Sequence, residues 1–462
     1  MKDRYDVICI GSGPGGYSAA VRLAKLGKSV AVIDYSKDKI GGVCLNEGCI
    51  PVKAIIKISK LYSELSRDGS RYGLGKDIAK ADIKKIVSYS KNTSKTLKQG
   101  LLYLFNKNRI DFIEGEAKLL TNKKVEVKRK GSSSQTIEAD NIILATGSKP
   151  IELPHLKFDK KKIISSSEAI NLDRIPKSIL IVGAGAIGVE FAGIFNNLGS
   201  KVALSEIKKQ ILPGEDSEIS SNLESIFKRK GIDVYTGCQT EIINISQDSV
   251  KVNLKSPNTQ EEIEVDMVLV TAGRRPNIDE ESFLNAGVEL DNGFVKVNDS
   301  MQTTSSDIYA VCDITPYPMF AHSAYKESEI ASLSIAGKNF RPINQLDIPR
   351  IVYSSIEAAS IGLTEKEAQD KKLDIKVIKQ YFRSNPRAVL SNYPDGFLKI
   401  IVDKNNHKLI GVHILGHEAS ELIHQFAISK VNDLTIDNIA EVIFGHPTFS
   451  EIIKEATLSF LG

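Results

Sequence analysis

The same short plan occurs twice in this chain: a β-rich run, a glycine-rich turn, a helical stretch, and a second β-rich run that ends at an acidic residue. The first copy runs from Asp6 through the turn GSGPGG to Asp34, and the second runs from Ser178 through GAGAIG to Glu206. In both copies the acidic residue lies 23 positions after the first glycine of the turn. Two such openings in the same register predict two separate parallel sheets with flanking helices, each able to bind a dinucleotide.

The two turns and their acids also predict the cofactors. Glycine lets the backbone approach a pyrophosphate, whose charge then lies at the N-terminus of the following helix. The glycines concerned are Gly11, Gly13, Gly16, Gly183, Gly185 and Gly188. Asp34 and Glu206 are placed to accept hydrogen bonds from a ribose, and a carboxylate at Glu206 would repel a 2′-phosphate, which favours NAD over NADP. Two dinucleotides in one chain indicate FAD and NAD, and therefore hydride exchange between a flavin and a nicotinamide.

Two cysteines, Cys44 and Cys49, lie in the segment GGVCLNEGCIPVK. Residues five apart in a regular α-helix are about 8–9 Å apart, and a disulfide needs Cα atoms within about 7 Å, so a bonded pair cannot share one regular helix. Pro51 suits a helix that begins near Cys49, whose thiol would then feel the positive end of the helix dipole. Two free thiols in a loop, or half of a metal site, are the alternative interpretations of this segment.

Length and composition limit the class of protein. A chain of 462 residues is too long for one core, and after about Gln345 strands followed by helical periodicity indicate a separate α+β domain. The net charge of +4 is small and the lysines are dispersed, which gives no reason to expect nucleic acid. No apolar stretch approaches the roughly 18 residues that span a bilayer, and the run Val7–Ile10 leaves no room for a cleavable leader. The chain has five cysteines, and an odd number does not suit the disulfide framework of a small secreted protein. We therefore expect a cytoplasmic enzyme that has no membrane or metal partner.

The chain resembles the pyridine nucleotide–disulfide oxidoreductases over essentially its whole length, and most closely the members that oxidise dihydrolipoamide. The blocks that carry the resemblance are GSGPGG at Gly11–Gly16, GGVCLNEGCIPVK at Gly41–Lys53, ATGS at Ala145–Ser148, GAGAIGVE at Gly183–Glu190, GRRPN at Gly273–Asn277, MFAH at Met319–His322, GVHILGHEASELI at Gly411–Ile423 and GHPTFSE at Gly445–Glu451. The resemblance implies an α/β fold with two Rossmann-like, doubly wound nucleotide-binding domains and a C-terminal α+β dimerisation domain. The implied boundaries are 1–150 for the first part of the FAD-binding domain, 151–272 for the NAD-binding domain, 273–345 for the remainder of the FAD-binding or central domain, and 346–462 for the dimerisation domain.

The resemblance assigns catalytic roles to four residues. Cys44 exchanges with the substrate dithiol, and Cys49 lies against the flavin and becomes a thiolate. His446 is the acid–base and Glu451 orients it, and both come from the partner subunit of a homodimer. An imidazole suits this role because its pKa lies near neutral pH. Two alternatives weigh against these last assignments: Thr448 and Glu451 have the spacing of a helix capping box, and His446 could be an ordinary loop histidine.

Cofactor-binding roles follow from the same resemblance. Lys53 lies near the flavin and pairs with Glu190, Asp313 binds the ribityl chain, and Ala117 contacts the adenine through its main chain. The other cofactor-binding positions, besides the turn glycines and the two ribose acids, are Gly42, Thr146, Gly147, Ser148, Gly273, Met319, Ala321 and His322.

The implied reaction is the oxidation of dihydrolipoamide to lipoamide with NAD⁺, through FAD and a Cys44–Cys49 disulfide, with free lipoamide or a separate lipoyl-bearing protein as substrate. One rival is an NAD(P)H-dependent reductase of another low-molecular-weight disulfide. A second is a non-catalytic flavin-binding protein that senses redox state or scaffolds a complex. Several departures from the family pattern put the substrate and the flavin potential in question. Glu47 places a charge between the cysteines, and Cys312 stands where a glycine usually precedes the aspartate; the other departures are Val52, Ile356 and Phe444.

Overall fold

The computed structural model describes residues 2–74, 80–121, 123–129, 131, 133–256 and 260–462. The chain divides into two compact units. The first comprises Met1–Ile55, Lys84–Ile151 and Arg274–Ile343, and the second comprises Ile56–Ile83, Glu152–Gly273 and Asn344–Gly462. Among the described residues, no helix combines the length and the apolar composition that crossing a membrane requires.

The first unit is built around a seven-stranded sheet with a parallel and an antiparallel half. The parallel half has the spatial order Asp111–Glu114, Val30–Asp34, Arg4–Ile10, Gln135–Leu144 and Ile308–Ala310. The antiparallel half adds Lys124–Lys128, beside the first residues of Gln135–Leu144, and then Glu116–Thr121.

Both faces of the central strand Arg4–Ile10 are buried. Ile8 and Ile10 enter one hydrophobic cluster, while Val7 and Cys9 enter another that includes the apolar face of helix Pro14–Lys25. A strand covered on both faces needs a nearly continuous apolar run, which explains why the sequence does not alternate here. The helices of this unit are Pro14–Lys25, Gly42–Asn46, the first part of Cys49–Asp68, nearly all of Ile83–Lys107, Glu280–Asn285 and Ala321–Ile335. Its short paired strands are Ser148–Pro150 with Arg274–Pro276, and Leu290–Asp291 with Phe294–Val295.

The second unit contains a five-stranded, all-parallel sheet that repeats the parallel half of the first. Its spatial order is Ile232–Thr236, Lys201–Glu206, Ser178–Val182, Met267–Val270 and Ile163–Ile164. The helices next to it in sequence are Ser166–Ala169, Ala186–Asn197 and Ser217–Arg229. A separate antiparallel sheet consists of Gln239–Ile245, Val250–Lys255 and Gln260–Val265.

The C-terminal part of the second unit is an antiparallel sheet with helices on both faces. The strand order is Arg350–Val352, Glu357–Gly362, Leu409–Gly416, Phe397–Asp403 and Ile375–Tyr381. The helices are Glu365–Asp370, Pro386–Leu390, Ala419–Val431, Ile436–Ala440 and Glu451–Leu461. Ile400 and Ile414 of the sheet share a core cluster with Phe426, Ile439 and Ile453, which belong to the last three helices.

These sheets confirm the predicted fold class of two parallel nucleotide-type sheets followed by an α+β segment. Strand ends lie close to their predicted positions: Ser178–Val182 matches, and the predicted strand Asp6–Ile10 extends back to Arg4. The helix predicted to begin near Cys49 does begin there.

Candidate active site

The first glycine turn leaves strand Arg4–Ile10 in a backbone conformation that favours glycine. Gly11 has a φ of +103°, and a Cβ at that position would lie 2.2 Å from the carbonyl oxygen of Ala145. A Cβ on Gly16 would lie 1.8 Å from the carbonyl oxygen of Gly11. Because neither contact can be relieved by moving a flexible side chain, both positions require glycine for the turn itself.

Gly13 and Gly185 precede the helices Pro14–Lys25 and Ala186–Asn197. At these two positions the turn itself does not require glycine. Both have extended backbone that any residue adopts. Among the described residues, a Cβ on Gly185 would meet no atom within 4 Å, and one on Gly13 would make an ordinary contact of 3.8 Å with the Cα of Gly42. The missing Cβ atoms therefore leave space in front of two helix N-termini, which fits the pyrophosphate of a dinucleotide.

Each turn is hydrogen-bonded to its predicted acid. Ser12 N–H donates to Asp34 Oδ2 at 2.8 Å, and in the second copy Ala184 N–H donates to Glu206 Oε2 at 2.7 Å. Glu206 Oε1 also accepts from Lys208 N–H at 2.9 Å. The carboxylates are thereby fixed beside their turns, and each has lone pairs left to accept from ribose hydroxyls. Their placement beside the turns agrees with the prediction, and ribose binding stays a prediction.

Cys44 and Cys49 lie on two different helices, as the helical geometry requires of a redox pair. Cys44 is on the short helix Gly42–Asn46, and Cys49 is the first residue of Cys49–Asp68. Gly48 suits the bend between the helices, since a Cβ there would make a tight contact of 3.1 Å with the carbonyl oxygen of Val43. The bend returns the chain toward the first cysteine within one turn.

The two sulfurs are half-buried thiols that share a hydrogen bond. This hydrogen bond, together with burial and the negative charge of Cys49, raises the pKa of the Cys44 thiol, while the ammonium of Lys53 acts in the opposite direction. Once one thiol has ionised, its negative charge raises the pKa of the other. The pair therefore carries at most one negative charge near neutral pH. Two thiols in hydrogen-bond contact are close enough to form a disulfide with a small movement.

The helix that carries Cys44, Gly42–Asn46, packs against the first glycine turn; we call it the cysteine helix. Gly42 has a φ of +60°, and a Cβ there would lie 2.6 Å from the Cα of Gly13. Gly41 N–H donates to the carbonyl oxygen of Ser12 at 2.9 Å. The cysteine pair is therefore held beside the turn that we expect to bind the first dinucleotide.

Glu47, which places a charge between the cysteines in sequence, is neutralised locally. Its carboxylate lies 2.5 Å from Lys39 Nζ. The preceding residue, Asn46, donates to the carbonyl oxygen of Gly42 at 2.8 Å and accepts from Lys98 Nζ at 3.2 Å. These contacts hold the segment between the cysteines and reduce the effect of the extra charge on the sulfurs.

Asp313 lies in a hydrogen-bonded group at the carboxyl end of the first sheet. Ser148 Oγ donates to Asp313 Oδ2, and Arg274 Nε donates to Ser148 Oγ at 2.8 Å. Burial lowers the pKa of Arg274, although the charges of Asp313 and Cys49 partly offset that effect. The structure therefore brings together Ser148, Asp313 and Arg274, and Arg274 was not among the predicted site residues.

The ATGS segment is tied to the GRRPN segment by backbone contacts. Thr146 Oγ1 donates to the carbonyl oxygen of Asn277 at 2.6 Å, and Asn277 N–H donates to the carbonyl oxygen of Gly147 at 2.8 Å. Gly147 has a φ of +70°, and Gly273 has a φ of +118°. These residues shape the backbone, and their contact with a cofactor stays a prediction.

The remaining predicted cofactor positions lie on several elements. Ala321 and His322 begin helix Ala321–Ile335, directly after Met319 and Phe320. Ala117 is on strand Glu116–Thr121, and Lys53 is on helix Cys49–Asp68.

The second glycine turn repeats the geometry of the first. Gly183 has a φ of +101°, and a Cβ on Gly188 would lie 1.9 Å from the carbonyl oxygen of Gly183. In the second unit, Glu190 is buried on helix Ala186–Asn197 and accepts from Tyr353 N–H at 3.1 Å.

His446 and Glu451 form a hydrogen-bonded pair near the end of the chain. His446 Nδ1 lies 2.9 Å from Glu451 Oε1, and Thr448 N–H donates to Glu451 Oε2 at 2.8 Å. These two contacts hold the pKa of Glu451 below its usual value. Thr448 Oγ1 donates to the carbonyl oxygen of Gly445 at 2.7 Å, so only half of the alternative capping box is formed. With Nδ1 facing the carboxylate, Nε2 of the exposed imidazole is available to exchange a proton.

Comparison with family models decides the identity. The model for pyridine nucleotide-disulphide oxidoreductases matches residues 5–328, and that family's dimerisation domain matches residues 348–457. The chain belongs to this family. The oxidoreductase uses FAD and NAD, as its family does, and the turns described above have the space and the acids that two dinucleotides require.

Named relatives cover almost the whole oxidoreductase. It is 36% identical to a dihydrolipoyl dehydrogenase of Geobacillus stearothermophilus over 99% of this chain and 96% of that protein, and 34% identical to one of Bacillus subtilis over 99% and 98%. Among solved structures it resembles LpdA from Mycobacterium tuberculosis, with a TM-score of 0.91, 25% identity and full coverage of both chains. It also resembles the HOCl-induced flavoprotein disulfide reductase RclA from Escherichia coli, with a TM-score of 0.86, 26% identity and coverage of 98% and 99%.

Proposed function

We propose that this oxidoreductase converts dihydrolipoamide to lipoamide with NAD⁺ as the electron acceptor. The observation that carries the proposal is the hydrogen-bonded pair of thiols, Cys44 and Cys49, held beside the first glycine turn. The substrate is inferred from relatives named dihydrolipoyl dehydrogenase that are 33–36% identical over nearly the whole chain.

The proposed exchange moves two electrons from the substrate to the cysteine pair, while one proton passes to His446 and one to Cys44. His446 Nε2 of one subunit accepts a proton from a substrate thiol, and the resulting thiolate attacks Cys44 Sγ of the Cys44–Cys49 disulfide. The S–S bond breaks, Cys49 leaves as a thiolate, and a mixed disulfide forms between the substrate and Cys44. The second substrate thiol then attacks the substrate sulfur of the mixed disulfide, which closes the substrate disulfide and releases Cys44, and the proton of this second thiol passes to Cys44. When bound, FAD passes the electron pair from the cysteines to NAD⁺ as a hydride equivalent.

The chain's own residues have separate roles in this proposal. Asp34 and Asp313 would hold FAD beside the cysteines, with Ser148 orienting the Asp313 carboxylate. Glu206 would hold the NAD ribose and exclude a 2′-phosphate. Lys53 contributes a positive charge near the sulfurs, which favours a thiolate.

A homodimer with shared active sites is part of the proposal. The family's dimerisation domain covers residues 348–457, which include His446 and Glu451. Apolar side chains are exposed in the same part of the chain, among them Ile443, at 97% exposure, and Ile428, at 64%. We expect these side chains to belong to the surface that a second subunit covers.

A second candidate is a reductase for a different disulfide. The structural similarity to RclA, described as a flavoprotein disulfide reductase, favours this candidate. Its chemistry would use the same cysteine pair in the opposite direction, with NADH as the electron donor.

Steady-state kinetics separate the candidates. The measurement compares NADH with NADPH as donor, and lipoamide with oxidised glutathione and cystine as acceptor. We expect turnover of lipoamide with NADH, at a rate at least about tenfold above that with NADPH, which corresponds to about 1.4 kcal/mol of discrimination at Glu206. Negligible turnover of lipoamide beside rapid reduction of another disulfide would favour the second candidate.

A further inference from the structure

Two tyrosines in the first unit form a hydroxyl pair that no role assigned above uses. Tyr17 is on helix Pro14–Lys25 and Tyr325 is on helix Ala321–Ile335. Their hydroxyl oxygens lie 2.5 Å apart, and their ring centroids lie 6.0 Å apart. Tyr325 is 41% exposed, so the pair is accessible from solvent.

The pair is close to the cysteines. Tyr17 N–H donates to the carbonyl oxygen of Gly13 at 3.0 Å, so the tyrosine lies one helical turn beyond the glycine against which Gly42 of the cysteine helix packs. Burial raises the pKa of both tyrosines, and the negative charges of Cys44 and Cys49 raise both further. The hydroxyls therefore keep their protons throughout the physiological pH range.

The hydrogen-bond count leaves one donor unused. Two tyrosine hydroxyls carry two hydrogens, and a bond between them uses one. Within the part of the chain that the structure describes, neither the Tyr17 nor the Tyr325 hydroxyl contacts any further hydrogen-bond partner. One O–H is therefore free to donate to an atom that binds near Cys44.

The two helices hold this donor in place. Ser328 Oγ donates to the carbonyl oxygen of Gly15 at 2.7 Å, which joins the helices beside the tyrosine pair. The next residue, Glu329, lies 3.5 Å from an Arg22 guanidinium nitrogen and 3.1 Å from Lys326 Nζ. A donor fixed by its own helices loses little entropy when it binds an acceptor.

We propose that the Tyr17–Tyr325 hydroxyl pair is a catalytic element of the disulfide site, and that its free O–H donates to the substrate sulfur that carries negative charge during exchange at Cys44. A hydrogen bond to an anionic sulfur is formed as the thiolate develops, so it lowers the barrier more than it tightens substrate binding. The inference rests on the proposed redox role of Cys44 and Cys49. It does not require that the substrate be lipoamide.

The test uses the holoenzyme with Tyr17→Phe, Tyr325→Phe and the double variant, assayed for lipoamide turnover. A hydrogen bond to a charged group corresponds to about a tenfold or larger loss of kcat when the hydroxyl is removed. We expect this loss in each single variant with KM nearly unchanged. Because the hydroxyls act as one unit, the double variant should lose little more than either single one.

Tyr5→Phe is the matched control. Tyr5 OH donates to Asp111 Oδ2 at 2.7 Å in the same unit but at the start of strand Arg4–Ile10, away from the cysteines. All variants should retain FAD and NADH-dependent ferricyanide reduction, which does not require disulfide exchange. The apparent pKa in the kcat profile, which reports the enzyme–substrate complex, should rise in the Tyr17 and Tyr325 variants because the bound thiolate loses a donor, and should not move in Tyr5→Phe.

Unchanged kcat in both single variants, or an equal loss in Tyr5→Phe, would overturn the inference. Failure of the proposed substrate is seen separately, as absence of lipoamide turnover in the unsubstituted protein. In that case the same variants are assayed with the disulfide that the protein does reduce. Unchanged kcat in both single variants, or an equal loss in Tyr5→Phe, would again overturn the inference.

Discussion

Glu327 Oε2 accepts a hydrogen bond from the backbone N–H of Cys312 at 2.7 Å. Cys312 has a φ of +76°, in the left-handed region that favours glycine, and it directly precedes Asp313. The carboxylate of Glu327 also lies 2.9 Å from Thr315 Oγ1. A strained residue is thus held by a buried acid, in the turn that carries the predicted ribityl-binding aspartate.

Replacing Cys312 with glycine is expected to stabilise the protein. A non-glycine residue in the left-handed region costs about 1–2 kcal/mol, while glycine loses about 0.4–1 kcal/mol more backbone entropy on folding. The net expectation for Cys312→Gly is a gain of about 1 kcal/mol, measured as a higher thermal midpoint of the holoenzyme. Cys312→Ala keeps the Cβ and should show no gain. A lower midpoint for the glycine variant than for the alanine variant would contradict the strain argument.

The buried carboxyl of Glu327 predicts a pH dependence of stability. Burial, with a smaller contribution from the charge of Asp313, raises the pKa of Glu327 to about 7, from an ordinary value of 4.5. Between these two values the unfolded chain releases its proton and the folded chain keeps it, so stability falls as pH rises from about 4.5 to about 7. The contribution is on the order of 3 kcal/mol.

Glu327→Gln should remove this contribution because an amide stays neutral while its oxygen still accepts from Cys312 N–H. The measurement is the free energy of unfolding of both proteins at several pH values between about 5 and 8, the range that spans the shift. The two curves should converge at low pH and separate toward pH 8, with the glutamine variant more stable there. Parallel curves across the range would rule out Glu327 as the titrating group.

The two cysteines should respond differently to substitution by serine. If Cys49 lies against the flavin, its thiolate gives a long-wavelength absorbance after two-electron reduction, and Cys49→Ser should abolish that band. Cys44→Ser cannot form the disulfide, so its Cys49 stays a free thiol beside oxidised flavin and the band should be present without any reduction. This variant is the matched control for folding and FAD content. A band that persists in Cys49→Ser would show that the roles of the two sulfurs are reversed or that neither contacts the flavin.

Much of the fold was predictable because it depends on short local signals. Gly11 and Gly16 are required by backbone contacts within a few ångströms, and Asp34 bonds to a residue of the same turn. The start of helix Cys49–Asp68 followed from the local effect of Pro51. Signals of this kind lie within one βαβ unit, so the sequence alone reveals them.

The parts that sequence reasoning missed depend on distant or hidden features. Tyr17 and Tyr325 are 308 positions apart, and nothing in either local segment marks them as partners. Glu327 lies within a helix among polar residues, where a glutamate is normally solvated, yet it is 1% exposed. The departure at Cys312 was visible in the sequence, but its left-handed backbone was not, because φ at a non-glycine residue depends on the packing around it.

Mixed dimers test whether each active site takes Cys44 from one subunit and His446 from the other. Cys44→Ser removes the attacked sulfur, and His446→Gln should lower kcat by about two to four orders of magnitude, because proton transfer to the substrate thiol is lost. Each variant alone should therefore be nearly inactive as a homodimer.

In a heterodimer of the two variants, shared sites leave one site with both an intact Cys44 and an intact His446 of the partner subunit. Co-expression of differently tagged subunits and purification through both tags should then recover about half of the normal activity per dimer, since one of two sites is intact. Sites contained within single subunits would leave both sites of the heterodimer defective, and no activity would be recovered.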